Sequence, residues 1–192
     1  DHPRIKIIPE DALAVNWQDL LVAEGWQDEP VKLVANLPYY LTTPLIMRAV
    51  EGNVHFQTTV VMVQKEVADR ILAKPGTKDY GLLSLAVQYY ANPQLVTKVP
   101  RTVFMPVPDV DSAVVKLDTI SPPVKAPPHE LFAIMRAAFG QRRKTLRNCL
   151  MPLYSSWGVT DEQFNELVTS LGLPITVRGE TLTLNQFSSI TE

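Results

Sequence analysis

Up to Asp118, short β-branched runs alternate with segments whose apolar residues return every three or four positions. That alternation predicts an open α/β sheet with helices between its strands. Candidate strands are Ile5–Pro9, Lys32–Asn36, Thr59–Gln64, Leu95–Val99 and Ala113–Asp118. Thr43 before Pro44 reads as an N-cap with proline in the first turn, and Gly52 as a stop, so a helix is predicted over Pro44–Glu51. A second helix starts near Lys65 and ends before Pro75-Gly76, with Val67, Ala68, Ile71 and Leu72 on one stripe. Leu82–Ala91 is apolar nearly all round, which predicts a helix buried on every side. The last two strands are joined only by the stiff segment Pro100–Pro108, which favours an antiparallel hairpin at the sheet edge.

The pattern changes at Ser121–Pro128, where Pro122, Pro123, Pro127 and Pro128 mark a predicted boundary between an α/β domain (1–120) and a helical domain (121–192). In the helical part, Leu131, Ile134, Met135 and Ala138 form a stripe that stops at Gly140. Thr160 and Gln163 make a capping box ahead of Phe164, Leu167, Val168 and Leu171, with Gly172 and Pro174 as terminators.

Composition narrows the choice of function. With 192 residues, 46% apolar content and a mean hydropathy of +0.02, the chain can bury a proper core. No apolar run approaches the roughly 18 residues of a membrane span, and Asp1-His2-Pro3-Arg4 lacks the layout of a secretory signal, so a cytoplasmic protein without a membrane partner is expected. The single cysteine, Cys149, fits a reducing compartment, and no Cys/His cluster has metal-ligand spacing, so no metal is expected. A net charge of −2 exerts no global pull on nucleic acid. Locally, however, Arg136, Arg142, Arg143, Lys144 and Arg147 lie in a stretch without an acid. If Arg142, Arg143 and Arg147 line one side of a helix, they make a phosphate-binding face, although basic helix surfaces also serve solubility alone.

The segment richest in chemistry is Val34-Ala35-Asn36-Leu37-Pro38-Tyr39-Tyr40, a strand running directly into Asn-Leu-Pro-Tyr. Strand ends in open α/β sheets border the ligand crevice. The lone pair of an exocyclic aromatic amine is delocalised into its ring, which makes the nitrogen a poor nucleophile. Two acceptors aimed at its N–H bonds, the Asn36 side-chain oxygen and the Pro38 carbonyl, favour a pyramidal nitrogen and stabilise the positive charge that grows on it. Tyr39 offers a ring face on which an extracted base can stack. Asn and Pro are also ordinary turn formers, so the segment taken alone also reads as a plain strand-to-helix turn.

Several further segments carry a resemblance. They are Gln64-Lys65-Glu66-Val67-Ala68-Asp69-Arg70, Tyr80-Gly81-Leu82-Leu83-Ser84 with Gln88-Tyr89-Tyr90, Val103-Phe104-Met105-Pro106-Val107-Pro108, Val110-Asp111-Ser112-Ala113-Val114-Val115 and the run Phe139–Asn148. In this order, and with Asn36-Leu37-Pro38-Tyr39, they resemble the small-subunit ribosomal RNA adenine N6,N6-dimethyltransferases over most of Ile5–Asn148, with a weaker echo at Arg178-Gly179-Glu180. The resemblance implies a partial Rossmann-like methyltransferase sheet with a small C-terminal all-α domain, S-adenosylmethionine as methyl donor, and the small ribosomal subunit or its RNA as partner. It assigns Asn36, Leu37, Pro38 and Tyr39 to catalysis and Phe104 to stacking on the target adenine. Asp11 and Ala12, with Asn36, fall at the cofactor, and Arg142, Arg143, Lys144 and Arg147 at the RNA. Without the resemblance, Phe104 reads as hairpin core and Asp11 as a cap or turn residue. Lys65 and Lys78 would extend the RNA surface.

The chain also departs from the family. No Gly-x-Gly loop occurs anywhere, and the family's strand order, 3-2-1-4-5-7-6, makes Ile5–Pro9 the third strand and Lys32–Asn36 the fourth, with the first two missing. The expectation is an N-terminally incomplete form that binds the methyl donor poorly. Two other readings share the tetrapeptide or the fold: an adenine methyltransferase acting on DNA or large-subunit RNA, and a non-catalytic ribosome-assembly or RNA-binding module.

Overall fold

In a computed structural model, residues 5–141 and 143–192 are described. Among them are four strands, β1 (Val31–Asn36), β2 (Phe56–Gln64), β3 (Ala91–Val99) and β4 (Ser112–Thr119), and eight α-helices. The helices are α1 (Trp17–Ala23), α2 (Thr42–Glu51), α3 (Lys65–Leu72), α4 (Leu82–Tyr90), α5 (Pro128–Gly140), α6 (Leu146–Ser156), α7 (Asp161–Ser170) and α8 (Leu184–Thr191).

The sheet order is β1-β2-β4-β3, with β1 and β2 parallel and β4 antiparallel to both its neighbours. This is the order 4-5-7-6 that the resemblance implies for these strands. The predicted hairpin forms, and β3 takes the outer edge. Pro93 lies within β3, where its missing N–H can point away from the ladder. Ile5–Pro9, predicted as a strand, is not one. Ile5 and Ile7 are exposed and no described strand lies beside them, so their β-propensity has no ladder to satisfy.

One face of the sheet is dry. Thr59, Val61 and Val63 of β2 stand opposite Leu117, Val115 and Ala113 of β4, all buried, and α2, α3 and α4 contribute Ile46, Ala68, Ile71, Leu83 and Val87 above them. The other face is partly open, and Val34 of β1 is 77% exposed.

The all-round apolarity of α4 has a simple cause, because the helix is shared by two cores. Leu83 and Val87 face the sheet, while Leu85, Ala86 and Tyr89 join a second cluster with Leu131, Ile134 and Met135 of α5 and Phe187 and Ile190 of α8. Tyr80 is buried just before α4, and its hydroxyl donates to the Leu182 carbonyl at 2.8 Å. The segment Arg178–Leu182 packs closely on α5: a β-carbon at Gly179 would stand 3.0 Å from the Ala138 β-carbon, so glycine permits the approach.

Two helix starts differ from the sequence reading. The helix read as beginning at Pro44, capped by Thr43, begins instead at Thr42 and has no side-chain cap. The short helix α1, unread in the sequence, is capped by Asn16, whose side chain accepts from the amides of Gln18 and Asp19. The Thr160–Gln163 capping box is present at α7 as read.

Candidate active site at the end of the first strand

Asn36 is the last residue of β1, in register with Met62 of β2. The chain leaves the sheet after one more bond, Leu37 N–H to the Met62 carbonyl at 3.2 Å, and buries the Leu37 side chain. It then turns through a short 3-10 stretch, Tyr39–Leu41, into α2. A cleft of about 370 Å³ opens here, lined by Asn36, Pro38, Tyr39, Met62, Phe104 and Met105 among others. The sequence-predicted residues Asn36, Leu37, Pro38, Tyr39 and Phe104 therefore share one cavity, although 68 positions separate Asn36 from Phe104 (104 − 36).

The hydrogen-bonding groups of the loop are unequally committed. The Pro38 carbonyl, expected to face a substrate, accepts from the Leu41 N–H at 3.0 Å and from the Thr42 hydroxyl at 3.1 Å. With both lone pairs engaged inside the chain, it is not free to receive an amine. The physical reason is the 3-10 turn, which directs this carbonyl along the helix axis of α2. The Leu37 carbonyl and the Asn36 side-chain amide, by contrast, have no hydrogen-bond partner among the described residues. Tyr39 is 38% exposed, and its hydroxyl lies 3.0 Å from that of Ser112, a buried residue at the start of β4. Nothing in the sequence pattern pairs these two residues. Thr42 was missed for a similar reason, since Thr43-Pro44 carried the stronger capping signal.

Another part of the cleft wall belongs to the segment between β3 and β4, which carries Phe104 and a cis Met105–Pro106 bond. Its base is tied to β4, because the Arg101 N–H donates to the Asp111 carboxylate at 2.9 Å and the Arg101 guanidinium to the Asp109 carbonyl at 3.3 Å. Phe104 lines the cleft rather than a hairpin core.

Asp11 and Ala12 lie on an exposed turn before α1. One Asp11 carboxylate oxygen accepts from the Leu13 N–H at 2.8 Å, and the Asp11 carbonyl accepts from Ala14 and Val15. The turn is tied down by Trp17, whose indole donates to the Ala12 carbonyl at 3.0 Å, and by Arg48 of α2, which donates to the Leu13 and Val15 carbonyls and stacks on the Trp17 ring. The second Asp11 oxygen and the Ala12 N–H carry no bond among the described residues. An acceptor beside a donor suits the amino edge of an adenine ring.

A larger polar cleft of about 700 Å³ adjoins the C-terminal end of β2, beside the start of β4, lined by Lys65, Asp69, Lys78, Arg101 and Asp111. Lys65 is already paired with Asp69 at 2.5 Å, and that carboxylate's hydrogen bond and charge hold the ammonium protonated beyond its usual range.

The basic stretch does not form one helical face. α5 ends at Gly140 and α6 begins only at Leu146, because Thr145 caps a new helix by accepting from the Asn148 N–H. Arg143 and Lys144 sit exposed in the turn between them, Arg147 is paired with Asp161 at the start of α7, and Arg142 lies outside the described residues. Among the described residues no cluster of His, Cys, Asp and Glu has the arrangement of a metal site, and no helix is long and apolar enough to cross a membrane.

Comparison with known proteins shows what the chain as a whole is similar to. Residues 1–173 match the family model described as ribosomal RNA adenine dimethylase. The chain is 44% identical over 194 residues to ribosomal RNA small subunit methyltransferase A of Alkaliphilus metalliredigens, covering 100% of this chain and 67% of that protein. It is 48% identical over 195 residues to the protein of the same name from Lachnoclostridium phytofermentans, covering 100% and 66%. The identity is 46% over 190 residues with that of Halothermothrix orenii, covering 97% and 62%. The chain thus spans about two thirds of the length of these curated relatives. Among solved structures, its fold is similar to a dimethyladenosine transferase from Plasmodium falciparum (TM-score 0.64, 24% identity, 90% of this chain and 74% of that one) and to the 23S rRNA methyltransferase ErmE (TM-score 0.69, 20% identity, 99% and 72%). On the match across residues 1–173 and these identities, the chain belongs to the ribosomal RNA adenine dimethylase family.

Proposed function

We propose that this chain supplies the target-base site of an enzyme that dimethylates adenine N6 in small-subunit ribosomal RNA. The observation that carries this reading is the pair of uncommitted acceptors, the Asn36 amide oxygen and the Leu37 carbonyl, in a cleft walled by Tyr39 and Phe104. An adenine stacked between the two rings would present its amino group to those acceptors. They favour the transition state because their partial charges complement the positive charge arising on nitrogen. Holding the amine in line accounts for much of the rest, and no strong base is needed. The Pro38 carbonyl contributes indirectly by anchoring the turn to α2.

S-adenosylmethionine, when bound, provides the electrophilic methyl group on a sulfonium. Asp11, Ala12 and Asn36 are the residues here that would hold it, Asp11 and Ala12 through the free carboxylate oxygen and N–H described above. For a second methylation the acceptors must serve a nitrogen that retains one N–H, so one of the two acceptors then has no proton to receive. Residues 1–120 would form the partial methyltransferase domain and 121–192 the helical domain, with Arg143, Lys144 and Arg147, and Arg142 on the sequence alone, meeting RNA phosphates.

The test is transfer of labelled methyl from S-adenosylmethionine to immature small ribosomal subunits by this chain and by a version extended at its N-terminus to the length of the curated relatives. Activity that appears with the extended protein and is lost by at least about a hundredfold in Asn36→Ala, with RNA affinity kept, is the expected result. Tight RNA binding without transfer by either form would favour a ribosome-assembly module instead.

A further inference from the structure

We infer that Ser112 is a positioning residue for methyl transfer, acting through the Tyr39 ring; this rests on the function proposed above. Ser112 is 1% exposed and opens β4, where its backbone is in register with Gln64 of β2 on one side and Val99 of β3 on the other. Its hydroxyl lies 3.0 Å from the Tyr39 hydroxyl, and this is the one hydrogen bond given to the Tyr39 side chain among the described residues.

Tyr39 needs such an anchor. Its ring borders an open cleft and stands at the head of a short 3-10 turn, so packing restrains it on one side only. A hydrogen bond at the far end of a tyrosine restrains both side-chain torsions, and therefore the plane on which a base would stack. The neighbouring residue does the same for the wall that Phe104 supplies: the Asp111 carboxylate accepts from the Arg101 N–H at 2.9 Å, at the root of the segment carrying Phe104. The Asp111 carbonyl in turn accepts from the Lys65 N–H at 2.9 Å, which ties the pair to the end of β2. Asp111 and Ser112 together thus set the spacing of the two aromatic walls from the rigid sheet. A loosened Tyr39 would still accept RNA, because the phosphate contacts proposed above lie at Arg143, Lys144 and Arg147, but would hold the amine off the line of transfer, and small misplacements carry large rate costs.

The experiment is a double-mutant cycle with Ser112→Ala and Tyr39→Phe in the N-terminally extended protein, measuring kcat and RNA affinity, alongside fluorescence of an RNA carrying 2-aminopurine at the target position. Each single variant is expected to lower kcat by roughly tenfold with RNA affinity within about twofold, and the double variant to be no worse than either. Ser112→Ala should also leave the 2-aminopurine less quenched, a readout that requires no methyl donor and that mere loss of stability would not move in the folded fraction. Tyr39→Phe breaks the same bond from the solvent side and carries the test if Ser112→Ala does not fold. An unchanged kcat in the singles, or losses that multiply in the double variant, would overturn the positioning role. Absence of transfer by the parent protein would instead overturn the function on which it rests.

Discussion

The Pro38 carbonyl shows how a single atom's bonding decides a role. Its lone pairs are taken by the Leu41 amide and the Thr42 hydroxyl, so the acceptor left for a substrate on that loop is one residue earlier. Thr42 is itself buried, and its bond to Pro38 is partly shielded from solvent. Replacing it with the isosteric valine removes one net hydrogen bond and leaves the carbonyl with a free lone pair pointing into the turn. The expected cost is about 1 kcal/mol of stability by denaturant titration, with a fall in kcat of roughly tenfold, whereas Thr42→Ser should retain both. Equal kcat in the valine variant would mean that the turn holds its shape without the hydroxyl. The tetrapeptide itself was legible in the sequence, because a strand ending in Asn-Leu-Pro-Tyr is a strong local pattern. Which of its carbonyls remains free was not, because that depends on the 3-10 turn and on a threonine four residues away.

At the scale of elements, α6 and α8 are joined by the Tyr154 hydroxyl, which donates to the Ile190 carbonyl near the end of the chain. Burial pushes the Tyr154 phenol from an ordinary value of 10.0 up to about 12. A raised pKa in the folded state means that stability is fully present below pH 10.0 and falls as the pH rises through about 12, because the unfolded chain releases its proton first. Stability measured by chemical denaturation should therefore decline over that window. Tyr154→Phe should flatten the decline while costing about 1 kcal/mol at neutral pH through the orphaned carbonyl. A variant with the parent's full alkaline slope would place the titrating group elsewhere, Tyr80 being the other phenol that burial strongly raises. Most helices were legible from stripes and caps, α7 to its capping box. The segment Ile5–Pro9 was not, because a strand is a property of two chains of backbone, and propensity describes only one of them.

For the whole molecule, charge follows the tertiary arrangement rather than the order of residues. Arg147 is neutralised by Asp161, which lies 14 positions away, while Arg143 and Lys144 stand exposed in the turn between α5 and α6. If those two meet phosphates, reversing both charges should weaken RNA binding and lower the slope of log affinity against log salt by about 2, one for each contact. Binding lowered with an unchanged salt slope would point to a structural effect.

The sequence alone determined the class of fold, the edge hairpin, the buried nature of α4 and the tetrapeptide Asn36-Leu37-Pro38-Tyr39 at the cleft, since each is written in local periodicity or in a short motif. Tertiary structure decided which groups are available for chemistry. It engaged the Pro38 carbonyl, left the Leu37 carbonyl and Asn36 amide open, tied Tyr39 to a serine 73 positions away and divided the basic stretch between a turn and an ion pair. The physical reason is common to all four. Hydrogen bonds and ion pairs are made between atoms a few ångströms apart in space, and the distance along the chain does not enter them.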